Sequence, residues 1–280
     1  MKEITSTSLQ GIATGLKVKE PGFYYSSNRS EVSFPEDIHA DFINLEGDSF
    51  WYQHRNRCIV TALELFPPQE PFFDIGGGNG VVALAIQEAS TEVVLVEPTM
   101  TGARHAFQRG IQPVICATLA EAKIREGSLP SVGLFDVLEH IEDDDGFLAM
   151  IHRYLLPGGR FYLTVPTFSS LWSIEDVNSG HYRRYAPRQL IAKMESLDFE
   201  VEFNTCLFEV LPLPIFLMRS IPSRLGLRKI DRKQTHGEHR VRPGKFRLLN
   251  WFLEREIKKL KQKRKISCGS SCLIVARKPS

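Results

Sequence analysis

The chain has 280 residues, of which 42% are hydrophobic, and a formal net charge of +2 at pH 7. This composition indicates a globular protein of one or two domains and excludes an intrinsically disordered chain. The five cysteines form no C-x-x-C pair, which argues against a zinc knuckle and against a disulfide framework. Residues 1–6 lack the apolar core of a secretion signal, so we expect a cytoplasmic protein.

The most informative segment runs from Phe72 to Gly80 and reads F-F-D-I-G-G-G-N-G. An apolar run that ends in an acid and continues into alternating glycines is typical of a buried strand leading into a nucleotide-binding helix. Gly76 and Gly78 leave room for a sharp turn and for close approach of a ligand. The G-x-G-x-x-G fingerprint of dinucleotide-binding enzymes is absent, because Val81 occupies the position of its last glycine.

The sequence pattern D-x-G-x-G-x-G resembles motif I of the class I S-adenosylmethionine (SAM)-dependent methyltransferases. In that family the glycine turn packs against the amino-acid end of SAM, and the acid helps to hold its ammonium group. The resemblance therefore implies cofactor-binding roles for Asp74, Gly76, Gly78 and Gly80. A plain glycine-rich turn is the alternative interpretation.

A second apolar run, Thr91–Glu97, also ends in an acid. Glu97 lies 21 positions after Gly76, close to the offset of about 20 at which an acid meets the ribose of a bound nucleotide. A carboxylate accepts two hydrogen bonds from a vicinal diol, so we predict that Glu97 binds the ribose. A solvated acid at a strand end is the alternative. We also assign the next residue, Pro98, to the cofactor pocket.

A third short strand is predicted at Pro113–Cys116. The family often carries an acid for the adenine amino group after this strand, but this chain has Ala117 and Thr118 there. The Thr118 hydroxyl or a backbone group would have to make that contact. The fourth strand and its exit read V-G-L-F-D-V-L-E-H-I over Val132–Ile141, which is similar to a frequent phrase of the family, and we assign Phe135 to the cofactor pocket.

The resemblance continues through Leu155–Pro166, where a helix end and a Pro-Gly-Gly turn lead into a fifth strand. Alternation predicts a sixth strand at Phe199–Phe203, and the apolar run Cys272–Ala276 predicts a last strand. The resemblance implies that this last strand is the antiparallel one that closes the family sheet. The predicted fold is therefore α/β and Rossmann-like, a doubly wound and mostly parallel seven-stranded sheet with a helical substrate cap.

A helix preceding the first strand is predicted from about residue 47 to Leu65. Its phrase F-W-Y-x-x-R-N resembles an entry segment of a bacterial subgroup of these enzymes, types 11 and 12, where it covers the SAM pocket. The resemblance implies substrate-side roles for Trp51 and Arg55, and core packing is the alternative. We predict an N-terminal segment with a lid helix (1–66), a SAM-binding core (67–206 with 267–280) and an insertion (207–266).

The segment between the fifth strand and residue 187 carries W…D…G-H-x-R-R-Y, which resembles the same bacterial subgroup. Arginine forks bind carboxylates or phosphates, and a histidine can take up a proton near neutral pH. Loop pinning, in which the acid pairs with one of the arginines, is the alternative. We assign four residues of this segment to the methyl acceptor: Asp176, Arg183, Arg184 and Tyr185.

Methyl transfer needs little acid–base chemistry, because the sulfonium is an activated leaving group and positioning supplies much of the acceleration. A hydroxyl acceptor would nevertheless gain from a base, for which we rank His181 first and His140 second. A packing or hydrogen-bonding role is the alternative for His140. Asp136, Glu139 and His140 also resemble the D/E-x-x-E-H pattern of ubiquinone-pathway O-methyltransferases, some of which use magnesium. The pattern is common in metal-free relatives, so we predict no metal.

Charge is distributed unevenly along the chain. Residues 219–265 contain 17 Lys and Arg against 4 Asp and Glu, a balance of +13, which leaves −11 for the rest. The preceding apolar stretch, Leu207–Met218, is interrupted by prolines and is shorter than the roughly 20 residues of a spanning helix. An apolar stretch beside a basic region can lie on an anionic membrane or hold an anionic acceptor. A solvated cap is the alternative.

The sequence thus predicts transfer of a methyl group from SAM, leaving S-adenosylhomocysteine, to a small-molecule, glycan or lipid-linked acceptor, with oxygen as the target atom. An RNA or protein methyltransferase and a catalytically silent SAM-binding protein are the alternatives. The Asn/Asp-Pro-Pro-aromatic sequence of enzymes that methylate nucleic-acid amino groups is absent, which argues against a nucleic-acid acceptor. We expect a cytoplasmic location with peripheral contact at the inner face of the membrane.

Overall fold

A single sheet organises the part of the chain that the computed structural model describes, which is residue 9 and residues 11–27, 49–228 and 247–280. Its strands are β1 (Lys17–Glu20), β2 (Phe23–Tyr25), β3 (Phe72–Ile75), β4 (Val93–Val96), β5 (Val114–Cys116), β6 (Leu129–Phe135), β7 (Leu155–Pro166), β8 (Glu200–Leu207) and β9 (Ser271–Arg277). Their order across the sheet is β1-β2-β5-β4-β3-β6-β7-β9-β8.

Helices alternate with the strands along the chain. They are α1 (Phe50–Leu65), α2 (Val81–Glu88), α3 (Met100–Gln108), α4 (Asp144–Tyr154), α5 (Ile174–Asn178), α6 (Pro187–Ser196), α7 (Pro212–Ile215), α8 (Ile221–Arg224) and α9 (Arg247–Lys261). Short 3-10 turns lie at Leu138–His140 and Ser169–Leu171, and a π-helical turn lies at Phe216–Ser220.

The middle of the sheet is parallel, which confirms the predicted Rossmann-like fold. Strands β5, β4, β3, β6 and β7 pair in parallel, and β9 is antiparallel to both β7 and β8. Because β4 and β6 lie on opposite sides of β3, the chain reverses its winding direction at β3. Ligands of open α/β sheets bind at such a switch point, beyond the carboxyl ends of the strands.

Helices cover both faces of the sheet, because successive strand residues point to opposite sides. Phe72 belongs to one buried cluster together with residues of α1, α2, α3 and α9, whereas Phe73 belongs to the other cluster together with residues of α4 and α6. The doubly wound arrangement therefore follows from strands that are apolar on both faces.

An N-terminal hairpin extends the predicted seven strands to nine. Strand β2 pairs in parallel with β5 through Phe23 and Val114, and β1 pairs with β2 in antiparallel fashion. This hairpin was not expected from the sequence. The reason is that Lys17–Glu20 is largely exposed and polar, so only its non-local pairing marks it as a strand.

A separate turn was predicted at the Pro-Gly-Gly sequence, but this sequence lies inside β7. Helix α4 ends at Tyr154, and β7 starts with Leu155 opposite Leu129. The register to β6 then shifts, and Arg160 becomes the partner of Ser131. Gly158 has a φ of +74°, which only glycine adopts without strain.

The insertion after β8 consists of short helical pieces followed by α9. In the described part of the chain, no helix is both long enough and apolar enough to cross a bilayer. One face of α9 is buried against α1 and carries four residues at helical spacing: Leu253, Glu256, Ile257 and Leu260. The domain boundaries stay a prediction, and residues 28–48 and 229–246 lie outside the described ranges.

Candidate functional site

The glycine motif forms the turn from β3 into α2. Gly76, Gly78 and Gly80 all have positive φ values, of +70°, +54° and +80°. A Cβ atom on Gly76 would lie 2.8 Å from the Val137 side chain, so the position has room only for glycine. The loop therefore presents bare backbone at the switch point of the sheet, as a nucleotide cradle requires.

Glu97 lies at the carboxyl end of β4 and is bound to the glycine loop. Its Oε2 accepts a hydrogen bond from the Gly78 N–H at 3.0 Å, and its Oε1 accepts one from the Thr99 N–H at 2.8 Å. These bonds fix the carboxylate at the edge of the crevice. The carboxylate is thus already oriented, and its contact with the ribose stays a prediction.

Asp74 is the buried acid beside the glycine turn, with 1% of its surface exposed. Among the described residues, its Oδ2 has no hydrogen-bond partner. Burial raises the pKa of Asp74 to about 7, which Arg55 opposes and the Glu97 charge reinforces. An unpaired buried carboxylate is costly unless a ligand completes it, and a cationic ammonium group fits that need. The site therefore fits the amino-acid end of SAM.

We predict that SAM affinity depends on pH through Asp74. The free acid is protonated below pH 7, and a bound ammonium group favours the ionised form, so binding releases a proton there. Affinity should then fall about tenfold between its plateau above pH 7 and pH 6. Calorimetry from pH 5.5 to 7.5 measures this dependence. The Asp74→Asn variant should bind weakly at every pH, and a dependence of wild-type strength in that variant would contradict the assignment.

Helix α1 carries Arg55 and Trp51 to the same end of the sheet. The Arg55 Nη1 donates to Asp136 Oδ2 at the end of β6, and the Thr164 hydroxyl donates to Asp136 Oδ1 at 3.0 Å. The Trp51 ring stacks on Phe208 with centroids 3.9 Å apart. Both predicted substrate residues thus join α1 to strand ends in this structure, and their contact with the acceptor stays a prediction.

The other predicted cofactor residues differ in how deeply they are buried. Pro98 is partly exposed after β4. The Thr118 N–H donates to Glu121 Oε2 at 2.8 Å, which places this residue at a turn after β5. The Phe135 ring is buried and stacks against Phe72 in the core, with centroids 6.3 Å apart. All three assignments stay predictions.

Asp176 is the centre of the loop that follows β7. Its Oδ1 lies 3.0 Å from His181 Nδ1 and accepts a hydrogen bond from Arg184 Nε at 2.7 Å, while its Oδ2 accepts one from the Ser173 N–H at 2.9 Å. Burial alone would raise the pKa of Asp176, but the bonds from His181 and Arg184 lower it. The loop pinning considered above is therefore present, and the same carboxylate orients His181.

Arg183 and Tyr185 are directed to Asp144 at the start of α4. The Arg183 Nη1 lies 2.6 Å from Asp144 Oδ1, and the Tyr185 hydroxyl donates to Asp144 Oδ2 at 3.0 Å. Burial raises the pKa of Tyr185, so the phenol stays protonated. Contact of these two residues with the acceptor stays a prediction, since both already make internal bonds.

His181, His140 and Glu139 form a group at the exit of β6. The two imidazole rings are nearly perpendicular, with centroids 4.7 Å apart, and His181 Nε2 lies 4.0 Å from Glu139 Oε1. Burial and the Asp136 charge raise the pKa of Glu139, which favours its neutral form. Burial and His181 lower the pKa of His140 to about 4. A group with that pKa is a weak base at neutral pH, so His140 is the weaker candidate and the role of His181 as the base stays a prediction.

The residues that could bind a metal at the exit of β6 differ from the magnesium pattern considered above. The ligand atoms of Glu139, His140 and His181 lie within 4.8 Å of one another, whereas Asp136 is held by Arg55. One carboxylate and two imidazoles are not the oxygen ligands that magnesium prefers. The prediction that no metal is used stays untested.

Sequence reasoning missed two acids that organise the site. Asp144 binds Arg183 and Tyr185, and Glu256 of α9 contacts His54 of α1 at 2.7 Å. Each acid lies far along the chain from its partners, so no local spacing identifies it. The only available signal for Glu256 was its position on the apolar stripe of an amphipathic helix.

Comparison with known proteins agrees with this geometry. Residues 50–203 match the family model described as a methyltransferase domain. The chain belongs to this methyltransferase family. It is also 26% identical over 163 residues to a probable S-adenosylmethionine-dependent methyltransferase of Mycolicibacterium smegmatis. That match covers 56% of this chain and 62% of the relative, so it spans less than two thirds of the relative's length.

Solved structures share the fold of this methyltransferase domain. A putative methyltransferase of Haloferax volcanii, solved with the Trm112 methyltransferase activator, has a TM-score of 0.54 and 13% identity over 87% of this chain and 98% of its own. Phosphoethanolamine N-methyltransferase 2 of Haemonchus contortus, solved with SAM, has a TM-score of 0.51 and 20% identity over 88% and 58% of the two chains. The domain is a class I SAM-dependent methyltransferase domain, and its cofactor is SAM.

Proposed function

We propose that this methyltransferase transfers the methyl group of SAM to a hydroxyl oxygen of a small-molecule, glycan or lipid-linked acceptor. The observation that carries the proposal is the pairing of His181 with Asp176 at the carboxyl end of the sheet. An ionised Asp176 keeps the proton of the imidazole on Nδ1, and Nε2 then has a free lone pair. A nitrogen acceptor that is already neutral would need no such base.

The proposed step is a direct displacement. SAM supplies a methyl group on a sulfonium, which is an activated leaving group. The acceptor oxygen forms a bond to that methyl carbon while the carbon–sulfur bond breaks. The electron pair of the broken bond goes to sulfur. His181 Nε2 takes the hydroxyl proton. The Glu139 Oε1 lies 4.0 Å from Nε2, and burial raises the pKa of this carboxyl group, which favours its neutral form.

The same loop supports an acceptor that carries an anionic group. Arg183 is about one third exposed although it binds Asp144, and Arg184 is held by Asp176. Arginine forks of this kind bind carboxylates and phosphates in bidentate fashion. A lipid-linked acceptor would be reached from the membrane surface, and we therefore propose a cytoplasmic location with peripheral membrane contact.

The chemical class of the product tests this proposal. Calorimetry should detect binding of SAM and S-adenosylhomocysteine and no binding of NAD. Hydroxyl, amine and carboxylate acceptors are then screened by thermal shift with S-adenosylhomocysteine present, and the hits are incubated with SAM. Mass spectrometry should find a methyl ether as the product. Turnover confined to amines or to RNA would refute the oxygen acceptor, and SAM binding without any turnover would favour a silent binding protein.

A further inference from the structure

Exposed apolar side chains are concentrated beside the crevice. We define the mouth surface as residues 211–228 together with residues 247–251 at the start of α9. Ten large hydrophobic side chains are exposed among the described residues, and seven of them lie on this surface: Leu213, Leu217, Met218, Leu225, Leu227, Leu248 and Trp251. Leu227 has 74% of its surface exposed and Leu248 has 70%. Such a concentration marks an interaction site.

The mouth surface is attached to the loop that holds the proposed base. The Ile174 N–H donates to Ser223 Oγ at 2.8 Å, the Arg224 Nη2 donates to the Ser170 carbonyl at 2.8 Å, and Arg228 pairs with Glu175. Residues 173–181 carry Asp176 and His181. Whatever binds the mouth surface is therefore brought next to the proposed acceptor site.

The charge of the mouth surface indicates which class of partner it binds. Residues 211–228 contain three arginines and no acid, of which Arg228 is already paired with Glu175, and α9 adds Arg247 at its start. Arg255 lies over the Trp251 ring, 5.5 Å from its centroid. Aliphatic and tryptophan side chains interspersed with arginines suit the boundary between lipid headgroups and acyl chains, where the apolar parts insert and the guanidinium groups meet phosphates.

We propose that the mouth surface docks on anionic membranes and presents the crevice to an acceptor in the lipid layer. Helix α9 gives this proposal a direction. Glu254 contacts Arg57 of α1, and Lys263 lies over the Phe66 ring beyond the end of α1, so α9 runs away from the crevice. Lys261 lies ten residues, or about 15 Å, beyond Trp251 along the helix. Lys261 and Lys263 at that end therefore lie away from the lipid, whereas Lys259 pairs with Glu209.

Co-sedimentation of the full chain with liposomes tests the docking without any turnover, so it can fail independently of the proposed function. We expect pelleting with phosphatidylglycerol-containing vesicles at low salt, weaker pelleting at high salt, and little pelleting with neutral phosphatidylcholine. A variant with Leu217→Ser, Met218→Ser and Leu227→Ser should bind at least about tenfold more weakly. SAM calorimetry on this variant checks that it is folded.

The matched control changes Lys258→Gln, Lys261→Gln and Lys263→Gln, which alters the same number of exposed side chains in the last turn of α9 and just beyond it. It should keep vesicle binding within about threefold, because each basic group loses influence beyond a Debye length of about 10 Å. The proposal is overturned if the lysine variant loses binding while the apolar variant keeps it, or if no vesicle binds. It is also overturned if the apolar variant only abolishes a concentration-dependent dimer in light scattering.

Discussion

Replacing His181 with alanine should lower turnover about 10²–10⁴-fold and leave SAM affinity within about twofold, since the variant removes a proton acceptor and no predicted cofactor contact. Once the screen has provided an acceptor, single-turnover assays measure the turnover, and calorimetry measures the affinity.

The His140→Ala variant is the natural comparison, because His140 lies in ring contact with His181 and was the second candidate for the base. We expect a smaller loss from it, since burial and His181 hold the pKa of His140 near 4. Full turnover in His181→Ala, or a deeper loss in His140→Ala, would mean that the ranking of the two histidines is wrong. Full turnover in both variants would mean that positioning alone drives the reaction.

The second large effect concerns stability. Glu256 is 2% exposed, and its carboxylate contacts His54 Nε2 at 2.7 Å and accepts hydrogen bonds from the Phe208 and Glu209 N–H groups at 2.8 and 2.9 Å. Glu256→Ala would remove the partner of the buried His54 ring and Phe208 N–H and of the partly buried Glu209 N–H. We expect a loss of about 3–5 kcal/mol in the free energy of unfolding, or about 6–10 °C in Tm for a chain of this size.

Glu254 offers a matched control on the same helix. It pairs with Arg57 of α1, but both side chains are about half exposed, so Glu254→Ala should cost no more than about 1 kcal/mol. Urea titration followed by circular dichroism compares the two variants. Equal losses would show that burial of the Glu256 carboxylate is not what makes this contact strong.

Much of the fold follows from local patterns. The strands that became β3 to β7 and β9 contain apolar runs, and β8 alternates between polar and apolar residues; the order of the motifs then allows few topologies. The hairpin β1–β2 did not follow, because its stability comes from the pairing of Phe23 with Val114, about 90 positions further along the chain. The position of α9 against α1 was missed for the same reason.

The candidate site divides in a similar way. The glycine turn, Asp74 and Glu97 could be identified because their spacing follows from the geometry of a strand, a turn and a helix. The partners of Arg55 and Arg183 could not be identified, because Asp136 and Asp144 are common acids at positions that only the folded chain brings together. Charge counting also treated residues 219–265 as one basic region, whereas the helix direction separates the arginines near the crevice from the lysines at the far end.

The two edge strands of the described sheet, β1 and β8, share features that affect how copies of this protein meet. β1 has four residues, of which Lys17, Lys19 and Glu20 are charged, and β8 begins with Glu200 and Glu202. The register shifts within both strands, between Val18 and Glu20 and between Val201 and Phe203. The charge and irregular register of both strands, and the short length of β1, each discourage a further strand from pairing. The protein should therefore withstand high concentrations without aggregating through its sheet.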